Sequence, residues 1–347
     1  MTTPLMREAL RPLYAKARNA HPGLLIQRGL PEHDTDNKEA KTKHLAWVCA
    51  IATDAYYQNA YNRWKGATAD AMRFNQVELA LETRLFIGLS GAGMLETGCA
   101  ISHSYGAPYI PGSSVKGVVK AHVRASPFAE QCPDVFAELF GTDADPSGTH
   151  PQGLSGLVTF HDAWWVPGSG KEPDTNKPLV DEIVTTHHAD YYGHDGASPA
   201  TDFDSPIPNA QIAVQGAFLF VLEGERAWLD LARQMLIATL ADRGIGAKTR
   251  TGYGLFDPQP RVPAEPTCPW VDEIVARLMQ QNHAPQDQTL RGAALAAAWS
   301  EITDPALKAA ALADIRSRWQ REGWWDDPPG KAAKQKAVYA TAVEIQT

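Results

Sequence analysis

Cysteine is scarce in this sequence, and its copies lie far apart. The four residues are Cys49, Cys99, Cys132 and Cys268. A zinc ribbon and a dithiol redox centre both need a C-x-x-C pair, so this spacing argues against both sites. We expect the thiols to be reduced and mostly buried.

Long apolar runs are also missing. Of the 347 residues 44% are hydrophobic, yet no apolar stretch approaches the roughly 20 residues of a membrane-spanning helix. The opening residues MTTPLMREALRPLYAKARNA have no apolar segment of signal-peptide length and follow the spacing of an amphipathic helix. We expect a cytoplasmic protein that makes no contact with a membrane.

Basic residues are outnumbered, 32 to 40, and the formal net charge of −8 argues against a protein that coats nucleic acid nonspecifically. The distribution of charge is uneven, however. Residues 97–129 and residues 243–256 each contain three basic side chains and no acidic one. Positive charge is therefore concentrated in two glycine-containing stretches.

The first of these stretches contains SYGAPYIPGSSVKGVVKAHVRA, residues 104–125. Its Pro-Gly pair predicts a turn, after which Ser113 or Ser114 is placed to cap a helix. The basic side chains follow at intervals of four residues: Lys116, Lys120 and Arg124. A helix N-terminus with two hydroxyls and a lysine stripe can hold phosphate, and Gly117 leaves room for a ligand near the backbone. The alternative is a solvated basic face on a capped helix.

The second stretch contains DRGIGAKTRTGYG, residues 242–254. Its four glycines are Gly244, Gly246, Gly252 and Gly254. A helix C-cap needs only one of them, so we expect a slim and mobile backbone. The intervening side chains supply charge, hydroxyls and one stacking ring: Lys248, Thr249, Arg250, Thr251 and Tyr253. This combination favours contact with RNA.

Neither stretch fits a nucleotide-cofactor site. Residues 112–117 satisfy G-x-x-x-x-G, but Val118 stands where a P-loop needs lysine. In GIGAKT, Ala247 separates Gly246 from Lys248, and a dinucleotide fingerprint would need a third glycine. We therefore expect no cofactor.

Apolar periodicity predicts an α+β protein with a ferredoxin-like core. Alternation predicts strands at residues 77–87, 156–166, 210–224 and 252–256. Helical spacing predicts helices at about residues 114–124, 127–140 and 225–243. The resulting order, βαββαβ, is also that of RNA-recognition domains. It places both basic stretches where a single extended RNA strand can meet them.

Helical segments flank this core on both sides. The predicted division is an N-terminal helical segment at residues 1–70, the core at 71–257 with an insertion at about 167–208, and a C-terminal helical extension at 258–347. The extension is predicted to hold four helices, at about residues 271–281, 290–302, 305–322 and 331–345.

The insertion is rich in acidic and histidine side chains. Residues 185–205 contain His187, His188, Asp190, His194, Asp195, Asp202 and Asp204. These could supply metal ligands, but they lack the i, i+4 spacing of a helical metal site. Residues 171–206 carry eight acidic and two basic side chains, which would repel phosphate. We interpret the segment as a hairpin or loop that docks another subunit, with a metal site or a plain surface loop as the alternatives.

Two tryptophan pairs, Trp164–Trp165 and Trp324–Trp325, are also unusual. In a strand, one member of the first pair must point away from the core, which suggests a contact surface. Burial of both pairs through bends in the chain is the alternative.

Taken together, the two glycine-rich stretches resemble the signature of the RAMP superfamily, the RNA-binding proteins of CRISPR systems. YGAPYIPGSSVKGVVK resembles the family's helix start and GIGAKTRTGYG its C-terminal glycine-rich loop, in the family's order and about 130 residues apart. HPGLLIQRGL, VTFHDAWWVP and IVTTHHADYYGHDGASPATDFDSPIP resemble the sixth-subunit family of the type III-B, or Cmr, effector complexes. The resemblance covers roughly residues 20–257 and leaves the C-terminal extension unexplained.

This resemblance implies a noncatalytic subunit that contacts guide RNA, target RNA and neighbouring subunits in antiviral RNA silencing. It would cap the row of backbone subunits near the 3′ end of the guide. The expected phosphate contacts are Lys116, Lys120, Arg124, Lys248 and Arg250. RNA is expected to approach the backbone closely at the serines and glycines of the two stretches: Ser113, Ser114, Gly117, Gly244, Gly246, Gly252 and Gly254. Thr249 and Tyr253 are the remaining expected RNA contacts.

Two other functions stay open. Related backbone subunits resemble metal-dependent ribonucleases with an aspartate in a loop, but here residues 91–110 offer only Glu96 as a carboxylate and His103 as a proton carrier. A scaffold that binds only proteins is the third possibility.

Overall fold

The computed structural model describes residues 2–16, 20–34, 39–89, 95–144, 152–171, 173–193, 197, 199–261 and 268–344. The chain forms two compact units, Met1–Arg261 and Val262–Thr347. It combines helices with antiparallel strands and is therefore an α+β protein. Within the ranges just given, no helix is both long and apolar enough to cross a lipid bilayer.

Helices and strands are interspersed in the first unit, whereas the described part of the second is helical. The strands are β1 (Thr2–Pro4), β2 (Glu32–Asp34), β3 (Phe74–Ala80), β4 (Tyr109–Ile110), β5 (Gly141–Thr142), β6 (Leu154–Ser155), β7 (Thr159–Phe160), β8 (Ala163–Trp165), β9 (Leu179–Thr186), β10 (Ile207–Val214) and β11 (Ala217–Glu223). The helices of the first unit are α1 (Arg11–Lys16), α2 (Pro22–Arg28), α3 (Glu39–Cys49), α4 (Ala55–Ala67), α5 (Gly112–Arg124), α6 (Pro127–Gln131), α7 (Pro133–Phe140), α8 (Ala189–Gly193) and α9 (Arg226–Asp242). Those of the second unit are α10 (Pro269–Asn282), α11 (Gln286–Leu290), α12 (Ala293–Ser300), α13 (Pro305–Arg321) and α14 (Ala332–Glu344).

The main sheet of the first unit is antiparallel, with the strand order β3, β11, β8, β4. The central strand β11, AFLFVLE, is buried along nearly its whole length. Phe218 and Phe220 belong to the apolar layer that contains α5 and α9, whereas Leu219 and Val221 belong to the layer that contains α4. Because both faces of β11 are covered, its sequence is continuously apolar instead of alternating.

The predicted first strand is shorter than expected. β3 ends at Ala80, and beyond it single bridges join Leu81 to Phe256, Leu85 to Val214 and Phe86 to Ala247. The backbone of residues 81–86 is thus shared among different partners instead of following one strand. The predicted closing strand at residues 252–256 is reduced to the bridge at Phe256, because turns occupy the preceding residues.

Two of the other predicted strands are each divided into two. Residues 156–166 form β7 and β8 with His161 and Asp162 between them, and Gly216, at φ +101°, separates β10 from β11. β10 pairs with β9 in a separate antiparallel hairpin, whereas β11 enters the main sheet. One predicted strand therefore serves two sheets.

The helix predicted at residues 127–140 is two helices, α6 and α7. Pro133 begins the second, and the residue before a proline is disfavoured in the helical conformation. Cys132 accordingly adopts φ −133° and ψ 58°.

The second unit packs around aromatic side chains. Trp299, Trp319 and Tyr339 are almost fully buried, and Trp325 is buried beside them while Trp324 is half-buried. The buried Asp314 carboxylate accepts hydrogen bonds from Arg318 and from the backbone N–H of Cys268. This unit therefore has a core of its own.

Candidate nucleic-acid interface

Helix α5 begins at Gly112 and is capped by a residue distant in sequence. The N–H of Gly112 donates to Oδ1 of Asp162 at 2.7 Å. A Cβ at Gly112 would overlap the carbonyl oxygen of Phe160, so glycine is needed at this close approach. The predicted caps, Ser113 and Ser114, lie inside the first turn instead. Their hydroxyls have no hydrogen-bond partner among the described residues.

Asp162→Ala is expected to lower the free energy of unfolding by about 1 kcal/mol, because it removes the acceptor at the start of α5. Asp162→Asn, which keeps an oxygen at that position, should lose less. Urea unfolding of the two variants and the parent chain measures the difference. Equal losses for alanine and asparagine would contradict the capping role.

The basic stripe of α5 contacts the protein itself. Lys120 Nζ donates to the carbonyl oxygen of Gly141 at 3.0 Å, and the Arg124 guanidinium lies 5.7 Å from the centre of the Phe136 ring. Lys116 is half-buried, and burial followed by the neighbouring Lys120 charge lowers its pKa. On the apolar side, Val115, Val119 and Val123 are buried in the core.

The second stretch, residues 243–256 and hereafter the glycine loop, is folded tightly. Its four glycines all have positive φ: Gly244, Gly246, Gly252 and Gly254. A Cβ at Gly254 would overlap the carbonyl oxygen of Ile245, and one at Gly246 that of Phe86. Hydrogen bonds join Ile245 N to Gly254 O at 3.0 Å and Ala247 N to Phe86 O at 2.8 Å. The sequence predicted a mobile backbone, but backbone hydrogen bonds hold the loop in place.

The charged side chains of the glycine loop are exposed. Neither Lys248 nor Arg250 has an ion-pair partner in the described part of the chain, and Lys248 adopts the left-handed conformation at φ 59°. Tyr253 packs on Phe86 with ring centres 4.7 Å apart. Burial and then Glu182 raise the pKa of Tyr253, while Arg84 opposes the shift. Its ring is thus already partly engaged, whereas the two cations are free to bind an anion.

Helix α5 and the glycine loop meet at a cleft of about 530 Å³, hereafter the α5 cleft. From α5 it is lined by Ser114 and Val118. The other side is lined by Gly244, Gly246, Thr249 and Arg250 together with Ile87, Asp242 and Arg243. The two sequence motifs thus lie side by side although well over one hundred residues separate them.

The cleft receives the serine side of α5 and not its lysine stripe. Lys116 lies two residues after Ser114, and Lys120 lies two residues after Val118. At 3.6 residues per turn, two residues correspond to a rotation of about 200°, so each lysine points to the side of the helix away from its partner. Lys116, Lys120 and Arg124 accordingly do not line the cleft. Ser113 and Gly117 are exposed on α5, and a Cβ at Gly117 would meet nothing within 4 Å.

Three residues near the cleft were absent from the predicted site. Arg243 lines it, and its place in an acid-free stretch was a usable signal. Asp242 also lines it and lies 3.3 Å from Arg243 Nε and 3.8 Å from Nδ1 of His122. Asp162, 50 residues from the helix it caps, had no local signal in the sequence. The cleft therefore carries one carboxylate among its cations.

The carboxylates considered for catalysis have structural partners. Glu96 Oε2 lies 3.6 Å from Nζ of Lys41 and accepts from Asn209 at 3.5 Å. In the acidic insertion, hydrogen bonds from His188 and Thr201 lower the pKa of Asp204. No three His, Cys, Asp or Glu side chains of the described residues are grouped to hold a metal ion. His194 and Asp195 lie outside the described residues.

Comparison with known proteins identifies one family model, which spans the residues of the cleft, and several relatives. The RAMP superfamily model matches residues 78–257. The CRISPR system Cmr subunit Cmr6 of Pyrococcus furiosus is 28% identical over 225 residues, covering 50% of this chain and 64% of that protein. The CRISPR system CMR subunit Cmr6 of Saccharolobus solfataricus is 25% identical over 185 residues, covering 52% and 56%. The chain thus matches less than two thirds of the length of either relative.

A solved structure of the type III-B Cmr-beta complex bound to cognate target RNA contains a similar chain. The identity is 18% and the TM-score 0.48, with 66% of this chain and 77% of that chain covered.

Proposed function

The chain belongs to the RAMP superfamily, and from this premise we propose that it is a noncatalytic RNA-binding subunit of a type III-B CRISPR effector complex. Its RNA would be the guide and the target, and its other partners the neighbouring subunits of the complex. The names of its two curated relatives support this role. The observation that carries the proposal is the α5 cleft, where both family motifs line one surface.

The cleft suits a ribose-phosphate backbone more than a base sequence. Arg250 and Arg243 supply positive charge, and the Ser114 and Thr249 side chains supply hydroxyls along the same walls. The exposed Lys248 adds a further cation on the glycine loop. Contacts of this kind neutralise phosphates without distinguishing bases, so we propose binding that is independent of sequence.

The lysine stripe forms a second part of the proposal. After its bond to Gly141 O, the Lys120 ammonium keeps two N–H groups, and Arg124 is exposed beside Phe136. Lys116, Lys120 and Arg124 would therefore hold phosphates on the side of α5 turned away from the cleft. A bound phosphate would also relieve the repulsion between Lys116 and Lys120.

A ferredoxin-like core over residues 71–257 belongs to the same proposal, with helical segments before and after it. The neighbouring strands β8, β11 and β3, the bridge from Leu81 to Phe256, and helices α5 and α9 in one apolar layer support this assignment. In this arrangement the first helix begins beside the loop that follows the second, which is how α5 meets the glycine loop.

The β9–β10 hairpin and its connection are proposed as the surface that docks a neighbouring subunit. Large apolar side chains are exposed there: Ile183, Tyr192, Phe203 and Ile207. Exposed apolar groups among acidic ones are typical of protein-binding surfaces and unsuited to phosphate.

Incubation of the full chain with single-stranded RNA tests this function against the ribonuclease alternative. We expect RNA to be bound and to stay intact with or without added Mg²⁺ or Mn²⁺. The Glu96 carboxylate faces Lys41 and Asn209, so Glu96→Gln should leave binding unchanged. Metal-dependent cleavage that Glu96→Gln abolishes would establish the enzyme instead, and a chain that binds no RNA would favour the protein-only scaffold.

A further inference from the structure

A second, smaller pocket lies beside the start of α5. Its volume is about 270 Å³, and its lining includes three tyrosines and one tryptophan: Tyr57, Tyr105, Tyr109 and Trp164. In β8, Trp165 is fully buried in the core while Trp164 is half-exposed in this pocket. The tryptophan pair is therefore divided between core and surface, as alternation along a strand requires.

The rings of this aromatic pocket are held in fixed positions. Tyr57 stacks on Trp164 with ring centres 6.1 Å apart and planes 11° apart, and its hydroxyl donates to Trp165 O at 2.6 Å. Tyr109 is the cross-strand neighbour of Trp164. Tyr105 lies 5.6 Å from Trp164 on a turn closed by the bond from Gly106 N to Ser102 O at 2.9 Å. The pocket is thus formed before any ligand enters.

The polar groups of the pocket suit a flat ligand that carries N–H donors. The lining includes His103 and the Asp162 carboxylate, whose Oδ1 accepts from the Gly112 N–H. Among the described residues, the hydroxyls of Tyr105 and Tyr109 and the indole N–H of Trp164 have no hydrogen-bond partner. No lysine or arginine lines the pocket, so it is not built for phosphate. Its volume is below the roughly 300–1,000 Å³ of sites for drug-sized molecules, which points to a single ring system.

The pocket is continuous with the start of α5. Asp162 lines it while capping the Gly112 N–H. Tyr109, which lines the pocket, lies three residues before Gly112. Ser114, which lines the α5 cleft, lies two residues after it.

The pocket lies on the α4 side of the main sheet, whereas α5 covers the other side. The two sites are linked through Ala100, whose N–H donates to the carbonyl oxygen of Ile87 in the cleft at 2.9 Å and whose carbonyl oxygen accepts from the N–H of Tyr109 in the pocket at 3.1 Å. An RNA strand that leaves the cleft can therefore reach the pocket by crossing the sheet at Ala100.

We propose that the aromatic pocket binds one unstacked nucleobase of the RNA strand whose phosphates lie in the α5 cleft. The inference rests on the proposed function and adds a base-stacking site to it. Aromatic faces accept any base, and free hydroxyl and indole groups can reach a base edge, so binding would tolerate different sequences.

The test compares the affinity of the full chain and its variants for single-stranded RNA. Tyr105→Leu is expected to weaken binding by about 5- to 150-fold, the range for loss of one base-stacking ring. Tyr105→Phe keeps the ring and should stay within about twofold of the parent. Met72→Ala removes an apolar side chain that is 76% exposed and lines neither the cleft nor the pocket, and it should have no effect.

Abasic scanning of the RNA provides a measurement that needs no mutation of the protein. One abasic position should weaken binding by the parent about as much as Tyr105→Leu does, and it should cause no further loss with that variant.

Three outcomes would contradict the proposals. If Tyr105→Leu binds RNA with the affinity of the parent, while replacement of Lys248 and Arg250 still weakens binding, the base-stacking site is overturned and the proposed function stands. Loss of a neighbouring subunit from the assembled complex with RNA affinity intact would assign the pocket to a protein side chain and also overturn the inference. Absence of RNA binding by every form of the chain would remove both proposals.

Discussion

Gly254→Ala is expected to lower the free energy of unfolding by more than about 3 kcal/mol. Gly254 has φ +75°, a conformation that costs a residue with a Cβ roughly 1–2 kcal/mol. The new Cβ would also overlap the carbonyl oxygen of Ile245, whose own N–H donates to Gly254 O. The base of the glycine loop would have to open, because backbone on both sides leaves no flexible side chain to move. Urea unfolding measures the loss, and soluble yield gives a second readout.

Two other glycines serve as matched controls for this prediction. Gly252 has φ +89°, but a Cβ there would meet nothing within 4 Å, so Gly252→Ala should cost only the roughly 1–2 kcal/mol of the backbone conformation. Gly117 lies inside α5 with nothing within 4 Å, so Gly117→Ala should stabilise the chain by up to about 1 kcal/mol. Equal losses at positions 254 and 252 would show that the tight contact with Ile245 O is absent.

Replacing both Lys248 and Arg250 by alanine is expected to weaken binding of single-stranded RNA by about 30-fold, or about 1 kcal/mol for each exposed charge contact. Both side chains are exposed on the glycine loop, and neither has an ion-pair partner in the described ranges, so their removal should spare the fold. Each lost phosphate contact reduces the magnitude of the salt slope by about 0.7, and the pair should reduce it by about 1.4. Titration of the RNA at several salt concentrations measures both effects.

The lysine stripe of α5, which lies away from the cleft, offers a comparison for the same assay. Lys120→Ala also removes the hydrogen bond to Gly141 O, so a loss of affinity there can come from the fold as well as from charge. The two causes differ in the salt slope, which changes only when a phosphate contact is lost. Weaker binding by the Lys248 and Arg250 variant with an unchanged slope would contradict direct phosphate contact by the glycine loop.

The sequence predicted where the two motifs lie and that they come close together. It did not predict which side of α5 faces the glycine loop. Glycine-rich turns and strand alternation are local signals, and they placed α5 and the glycine loop correctly along the chain. The side of α5 that faces the loop depends on how α5 packs against α9, and periodicity alone shows only that Val115, Val119 and Val123 point to the core. The serine side and the lysine side flank that apolar stripe equally.

Other features depend on contacts between distant segments and were therefore hidden. The cap of α5 comes from Asp162, and the glycine loop is tied to the backbone of residues 84–86. Three of its glycines serve close packing within the protein, whereas the sequence suggested room for a ligand. The Trp164–Trp165 pair predicted that one ring points away from the core, and Trp164 is the partly exposed one. This could be predicted because alternation in β8 is a local property.

Photo-crosslinking of RNA to the assembled effector complex, followed by mass spectrometry, tests the central claim most directly. With 4-thiouridine placed along the guide and the target, we predict crosslinks to peptides from residues 112–118 and from residues 243–252, sharing the same or adjacent nucleotides. Crosslinks confined to neighbouring subunits, with both of these segments free of RNA, would contradict an RNA-binding cleft between α5 and the glycine loop.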